Sequence, residues 1–251
     1  MLHFINFENR CWWCGEIADS AEHIHKKTDL EREFGRRKAF SKNDPVRFID
    51  DSTIIPIAKS KSRTVKFKKN LCIHCNSTQS QPFDIAYDVF TQYYKENEEK
   101  IYTTQLVNFE DVYGDSWIDQ ILNLQKYYVK NFCCRLYEEN VSICSDLIDF
   151  LNGTSELKSL QMNMYLRSDI HQFLSLLKID HHDGFLHISD ITGEKSISQN
   201  AFYYLTASMS YRSLTIGYFY SNERDPPINN FKPTPSLSLK IWDNPAFKNK
   251  T

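Results

Sequence analysis

No apolar run in the 251 residues approaches the roughly 18–20 needed to cross a bilayer, so neither a membrane span nor membrane contact is expected. The opening MLHFINFENRCWWC has no basic segment leading into a long apolar stretch. A secretory leader is therefore not expected, and the chain reads as cytoplasmic. Internal repeats and low-complexity tracts are lacking, which leaves ordinary globular domains. Charge of one sign is lacking too. The net charge is −2 and the pI about 6.4, so total charge does not point to a polyanion. Seven cysteines are an odd number, and without an export signal they do not suggest a disulfide framework. In a reducing compartment, paired cysteines are better read as metal ligands.

The composition is that of a folded protein, 41% hydrophobic and 25% charged, long enough for one large or two modest domains. Charge is unevenly spread. Residues 1–75 hold 15 Lys and Arg against 10 Asp and Glu, while residues 76–251 hold 15 against 22. The positive part coincides with the cysteine motifs, a hint of a polyanionic partner.

Two units are expected, 1–100 and 101–251. Within the first, residues 26–58 are charged and aperiodic and read as an insertion or connection. Arg63 to Lys69 alternates as a strand, with Val65 and Phe67 on one face. Beyond Pro82, which suits a first helical turn, Ile85, Ala86, Val89, Phe90 and Tyr93 recur at helical spacing. The second unit reads as a long helix over Asp115–Glu139, a shorter one over Val141–Asn152 ended by Gly153, then strands at Phe185–Ile191, Tyr211–Tyr220 and Leu237–Trp242. His181-His182-Asp183-Gly184 reads as a turn rather than a metal site.

Cys11-Trp-Trp-Cys14 and Cys72-Ile-His-Cys75 are two Cys-x-x-Cys knuckles. Together they make a closed four-thiolate zinc site, structural rather than catalytic. The 57 residues between them are no obstacle. Tripling a loop from about 20 to 60 residues costs about 1 kcal/mol, against the roughly 10–16 kcal/mol a structural zinc contributes. Cys133, Cys134 and Cys144 fall in helical patterns and read as core thiols.

A cysteine knuckle, then Glu22-His23, then a basic strand, then a second knuckle followed by Asn76 and a helix resembles the zinc-bearing HNH (His-Me finger) endonucleases. The resemblance covers about residues 9–95. It implies an N-terminal ββα-metal module; with the helices and strands read beyond it, the expected fold class is α+β, the mixed second domain setting target choice, partner or activation. It implies His23 as the general base, with Glu22 and Asn76 as ligands of a catalytic Mg²⁺ or Mn²⁺. The residue types suit those roles. Hard oxygens favour such ions, the ion can neutralise charge on a scissile phosphate, and imidazole titrates near neutrality. The expected activity is hydrolysis of phosphodiester bonds in DNA, with RNA as the alternative substrate. By analogy with small bacterial HNH proteins, antiviral defence is the expected setting. A protein partner or homo-oligomer would work through 101–251.

Each residue also has a plain structural reading. Glu22 is then a strand-edge charge, His23 a hydrogen-bonded histidine, and Asn76 a helix cap. Family members commonly carry an asparagine about five residues before the third cysteine to brace the base. Here that position is Phe67, and Asn70 is the nearest asparagine. The departure favours a second function class, a zinc-knuckle module that holds nucleic acid or protein without cutting it. His25 is expected either at the metal or phosphate or on the surface. Lys59, Lys61, Arg63, Lys66, Lys68 and Lys69 place six positive charges in eleven residues and are expected to contact phosphates.

Overall fold

The computed structural model describes residues 9–35, 46–50, 53–57, 63–154, 156–177, 185–195, 202–221 and 231–243. The chain is mixed α and β. Its axis is helix α4 (Trp117–Glu138), the expected 115–139 helix to within two residues. From Leu124 to Leu136 nearly every side chain of α4 is buried, on all sides. A helix buried all round must be central. It packs along α2 (Gln81–Thr104), stacks Phe132 on Tyr218 of the sheet at 4.8 Å, and donates from Asn131 Nδ2 to Ile24 O at 3.3 Å.

Helix α2 begins where expected, with Pro82 in its first turn. Its buried stripe is Phe83, Ala86, Tyr87, Phe90, Tyr94 and Ile101. Ile85 and Val89, two of the apolar residues at helical spacing, are exposed. A left-handed Gln105 ends it, returning its N–H to Ile101 O at 2.7 Å. Short β3 (Leu106–Asn108) and α3 (Phe109–Tyr113) lead into α4, α3 being capped by the Asn108 side chain. Helix α5 (Ser145–Leu151) starts four residues later than expected, because Cys144 before it is still extended.

The sheet has six strands: β4 (Leu160–Arg167), β5 (Leu186–Ile188), β6 (Thr192–Lys195), β7 (Phe202–Tyr211), β8 (Leu214–Tyr220) and β10 (Lys240–Trp242). The order is β10-β4-β8-β7-β5, with β6 also on β7, antiparallel except for β10 beside β4. Helix α6 (Ser168–Leu177) follows β4, and β9 (Ser236–Ser238) pairs with β3. β4 and most of β7 are not among the expected strands, although Leu160, Met162, Met164 and Leu166 of β4 do alternate and are buried. Residues 181–184 lie outside the described residues.

The expected strand at 63–69 is a correction. Arg63–Val65 form a 3₁₀ turn, and pairing follows only as single bridges, His23 with Lys66 and Ser20 with Leu71. Val65 and Phe67 are buried on one face as read; of Lys66 and Lys68, expected on the other, Lys68 is exposed and Lys66 half-buried. The 26–58 stretch, read as aperiodic, holds α1 (Lys27–Phe34) and a hairpin of β1 (Val46–Asp50) and β2 (Thr53–Ile57). The inner face of α1 is Asp29, Leu30 and Glu33, so two of its three buried residues are acids and hydrophobic periodicity is hidden. One buried cluster runs from Cys11 to Leu239, and residue 100 falls inside α2.

Candidate functional site

The four cysteines converge. The sulfurs of Cys11, Cys14, Cys72 and Cys75 lie within 4.8 Å of one another, with Cys14 and Cys72 3.6 Å apart. Zinc–sulfur arms of about 2.3 Å give a tetrahedron with edges of about 3.8 Å, so the cluster has the size for one such ion. Among the described residues it is the one group of three or more metal-ligating side chains so arranged. Each knuckle is fixed locally. The Cys75 N–H donates to Cys72 Sγ at 3.4 Å, and the Gly15 N–H to Cys11 O at 2.9 Å. Gly15, at φ +81, makes the left-handed turn that closes the first knuckle. Burial, then the neighbouring Cys11, push the Cys75 thiol up, so the metal-free cluster holds protons that a metal must displace. Trp13 anchors the first knuckle, stacking on Phe83 and donating from Nε1 to Asn152 Oδ1 at 2.9 Å.

From this staple the chain runs along residues 20–24, which pair back to 65–71 before the second knuckle and make, with it, the N-terminal hairpin. The Ile24 N–H donates to Val65 O and the Phe67 N–H to Glu22 O, both at 3.0 Å. His23 lies in this pairing, opposite Lys66. Asn76 follows within a wide π-type turn, His74–Gln79, that runs into α2. The order is thus knuckle, paired segment, paired segment, knuckle, helix.

Glu22 is buried and already has a cation. Lys130 of α4, fully buried, sits 2.8 Å from Glu22 Oε2, 3.3 Å from Asp84 Oδ1, and donates to Ser80 Oγ at 3.2 Å. The other Glu22 oxygen accepts the His23 N–H at 2.9 Å. Burial alone would raise the Glu22 carboxyl. The Lys130 charge and hydrogen bond outweigh it and hold the group below its ordinary value. Alternating charges continue outward. Lys26 lies 2.7 Å from Asp88 and donates to Asp84 O at 2.8 Å, and the Thr28 hydroxyl donates to Asp88 at 2.7 Å. Lys130 and Asp84 were not singled out by sequence reasoning. A lone lysine in a helical stripe carries no local signal of its partner.

Asn76 donates from Nδ2 to Ser20 Oγ at 2.8 Å, and its Oδ1 is buried without a partner. The oxygens expected to hold Mg²⁺ or Mn²⁺ are therefore unequal. Asn76 Oδ1 is open to a ligand, whereas the Glu22 carboxylate has both oxygens engaged and its charge met by Lys130. As arranged, this donor set does not fit a divalent cation, which would have to displace the ammonium.

Asn70 does not stand in for the bracing asparagine. It is fully buried, and its amide donates to Cys134 O at 3.3 Å. His25, expected at the metal or on the surface, is buried and its Nδ1 has no partner. Burial, then the charges of His187 and Arg135, push its pKa down to about 3. Of the basic run, Lys59 and Lys61 and the side chain of Arg63 lie outside the described residues. Lys66 is half-buried, Lys68 pairs with Glu138 at 3.3 Å, and Lys69 is exposed. Cys133, Cys134 and Cys144 are buried, as expected of core thiols. No described helix is long and apolar enough to cross a membrane. Comparison with protein-family models, curated proteins and solved structures found no match to the chain.

Proposed function

We propose that the N-terminal region is a zinc-stapled HNH-type module that hydrolyses phosphodiester bonds of nucleic acid, DNA in the first instance, with His23 as the base that deprotonates water. The observation that carries this reading is the placement of His23. It lies in a short antiparallel pairing set between two halves of a four-thiolate cluster and followed by a helix. The exposed Lys68 and Lys69 beside it supply phosphate affinity. A role in defence against phage belongs to the same proposal and is checked by plaque counts with His23→Ala.

The second reading, a module that holds nucleic acid without cutting it, is favoured by the Glu22–Lys130 pair, which occupies the carboxylate a catalytic metal needs. A supercoiled-plasmid assay separates the two. Wild type and His23→Ala are run with Mg²⁺, with Mn²⁺ and with EDTA, and an RNA substrate is run in parallel. Cutting by wild type alone supports the nuclease. A divalent-ion requirement returns the metal to Glu22 and Asn76 at the expense of the Lys130 pair. Gel shift without cutting of either substrate supports the binding module. Equal cutting by both proteins removes His23 from the chemistry.

A further inference from the structure

Among the described residues, Gln79 is the one side chain outside the four cysteines placed on a cluster sulfur. Its Oε1 lies 3.3 Å from Cys75 Sγ, four residues on in the same wide turn. Cys72 Sγ, by contrast, is met by a backbone group, the Cys75 N–H at 3.4 Å. A backbone N–H suits a thiol sulfur and a thiolate alike, whereas a carboxamide oxygen does not. Behind the oxygen, Gln79 Nε2 donates to Asn152 Oδ1 at 3.2 Å, and the same Asn152 oxygen accepts Trp13 Nε1–H at 2.9 Å. Trp13 lies inside the first knuckle, Asn152 ends α5, and Gln79 follows the second knuckle. A relay of side chains thus runs from one knuckle, by way of α5, to the sulfur of the other.

The sense of the relay is fixed at its Trp13 end. An indole N–H only donates, so the Asn152 oxygen must face it. That oxygen then takes a hydrogen from the Gln79 amide, which leaves the Gln79 oxygen toward Cys75. Oxygen and sulfur at this distance form a hydrogen bond only while the sulfur carries the hydrogen. A zinc-bound cysteine is a thiolate, which accepts and does not donate. In the loaded cluster two acceptors would therefore face each other beside a half-buried amide. The last torsion of a glutamine is broad and two-fold, so the carboxamide can turn over. Nε2 then meets Cys75 Sγ as a donor, and Oε1 faces Asn152 Oδ1. Asn152 cannot turn in step, because its amide nitrogen would face the Trp13 N–H. The Gln79–Asn152 bond is lost.

We propose that Gln79 is a positioning residue of the zinc site that exchanges partners with metal loading, bonding Asn152 in the metal-free chain and donating to the Cys75 thiolate in the loaded one. The inference rests on the four-thiolate zinc site and not on the nuclease reading. It makes the end of α5 responsive to the metal and gives residues beyond 100 a part in setting zinc affinity.

The test uses the full-length protein. Zinc affinity is measured by competition with a chromophoric chelator, and the sulfur-to-metal charge-transfer band is followed after Co²⁺ substitution. Gln79→Met keeps the length of the side chain and removes the N–H. Its zinc affinity should fall at least tenfold, the usual loss for a hydrogen-bond partner of a metal ligand. Its band should move to longer wavelength, because a hydrogen bond lowers the energy of the sulfur lone pair that gives up the electron. Asn152→Ala removes a partner that Gln79 uses only without metal, while Trp13 loses its acceptor in both states alike. Zinc should then bind about threefold tighter, the effect of one neutral hydrogen bond at the surface, with the band unmoved. Gln79→Met with the affinity and band of wild type overturns the proposal. Asn152→Ala that binds zinc more weakly overturns the exchange and makes Asn152 a brace for Gln79 in the loaded state. Where Gln79→Met fails to fold, Asn152→Ala, at an exposed helix end, decides by the sign of its effect. Wild type that takes up no Co²⁺ with charge-transfer absorption overturns the zinc site itself, an outcome read before either variant.

Discussion

Helix α4 buries two cations five residues apart and treats them in opposite ways. Lys130 is met by Glu22, Asp84 and the Ser80 hydroxyl, and its pKa is raised, the two carboxylates outweighing burial. Arg135 is met, among the described residues, by the carbonyls of Ser208 and Ser189 alone, and burial lowers its pKa. A matched buried ion ties elements together. It joins the hairpin, α2 and α4 at the point where the HNH resemblance expects a metal. The same helix therefore locks one side of the hairpin with ion pairs and meets its other buried cation with backbone carbonyls.

Zinc removal is expected to have the largest effect, because the knuckles hold residues 20–24 against 65–71 and so keep Glu22 in place for Lys130. Cys75→Ser or strong chelation should abolish a stoichiometry of one zinc per chain and unfold the hairpin, a change on the order of 10 kcal/mol in apparent stability. Metal analysis by native mass spectrometry and amide exchange at residues 20–24 and 65–71 provide the check. Retention of hairpin protection without metal would make the cysteines ordinary core thiols.

The two cations can then be compared directly. Lys130→Met strands the buried Glu22 carboxylate and should cost about 3–5 kcal/mol in urea unfolding. Adding Glu22→Gln should restore most of the loss. Arg135→Met gives up hydrogen bonds but relieves an uncompensated charge, so its net cost should stay within about 1 kcal/mol. A loss at Arg135 as large as that at Lys130 would erase the distinction between them.

What could be read in advance follows from how local each signal is. Both knuckles, α4 and the start of α2 are carried by spacing within a few residues, and they stand where expected. Helix α1 was hidden because Asp29 and Glu33 are buried. Asp29 accepts from the Tyr87 hydroxyl at 2.8 Å, and Glu33 from Tyr211 and Arg212 at 2.6 Å each. Those partners lie 58 to 179 positions away, beyond any periodicity. Lys130 was missed for the same reason, and with it the fact that Glu22 has a protein counter-ion. Cys11, Cys14, Glu22, His23 and Asn76 could be singled out by sequence alone; the charge state of their surroundings could not.

A smaller effect should appear in the pH dependence of the unmatched side. His25 moves from an ordinary value of 6.5 to about 3 on folding, through burial first and then the neighbouring cations. A depressed folded value gives stability that is complete above 6.5 and is lost as pH falls toward 3, with a slope of up to about 1.4 kcal/mol per pH unit. Asp29 acts in the reverse sense. Burial raises it from 3.8 to about 7, so its contribution is complete below 3.8 and lost as pH rises to 7. The two oppose each other between 3.8 and 6.5, so wild type alone would show a blunted slope. Measured between pH 7.5 and 4.5, His25→Asn should lose less stability on acidification than wild type, and Asp29→Asn more. Identical slopes for wild type and His25→Asn would mean that His25 titrates normally in the folded state.

The smallest stability effect belongs to the exposed cation. Lys68 pairs with Glu138 at the surface, and Lys68→Ala should cost no more than about 1 kcal/mol. In oligonucleotide binding, however, it should lower the salt slope by about one, the signature of a lost phosphate contact in a diffuse field. An unchanged salt slope would leave Lys68 to its ion pair with Glu138 and remove it from strand binding.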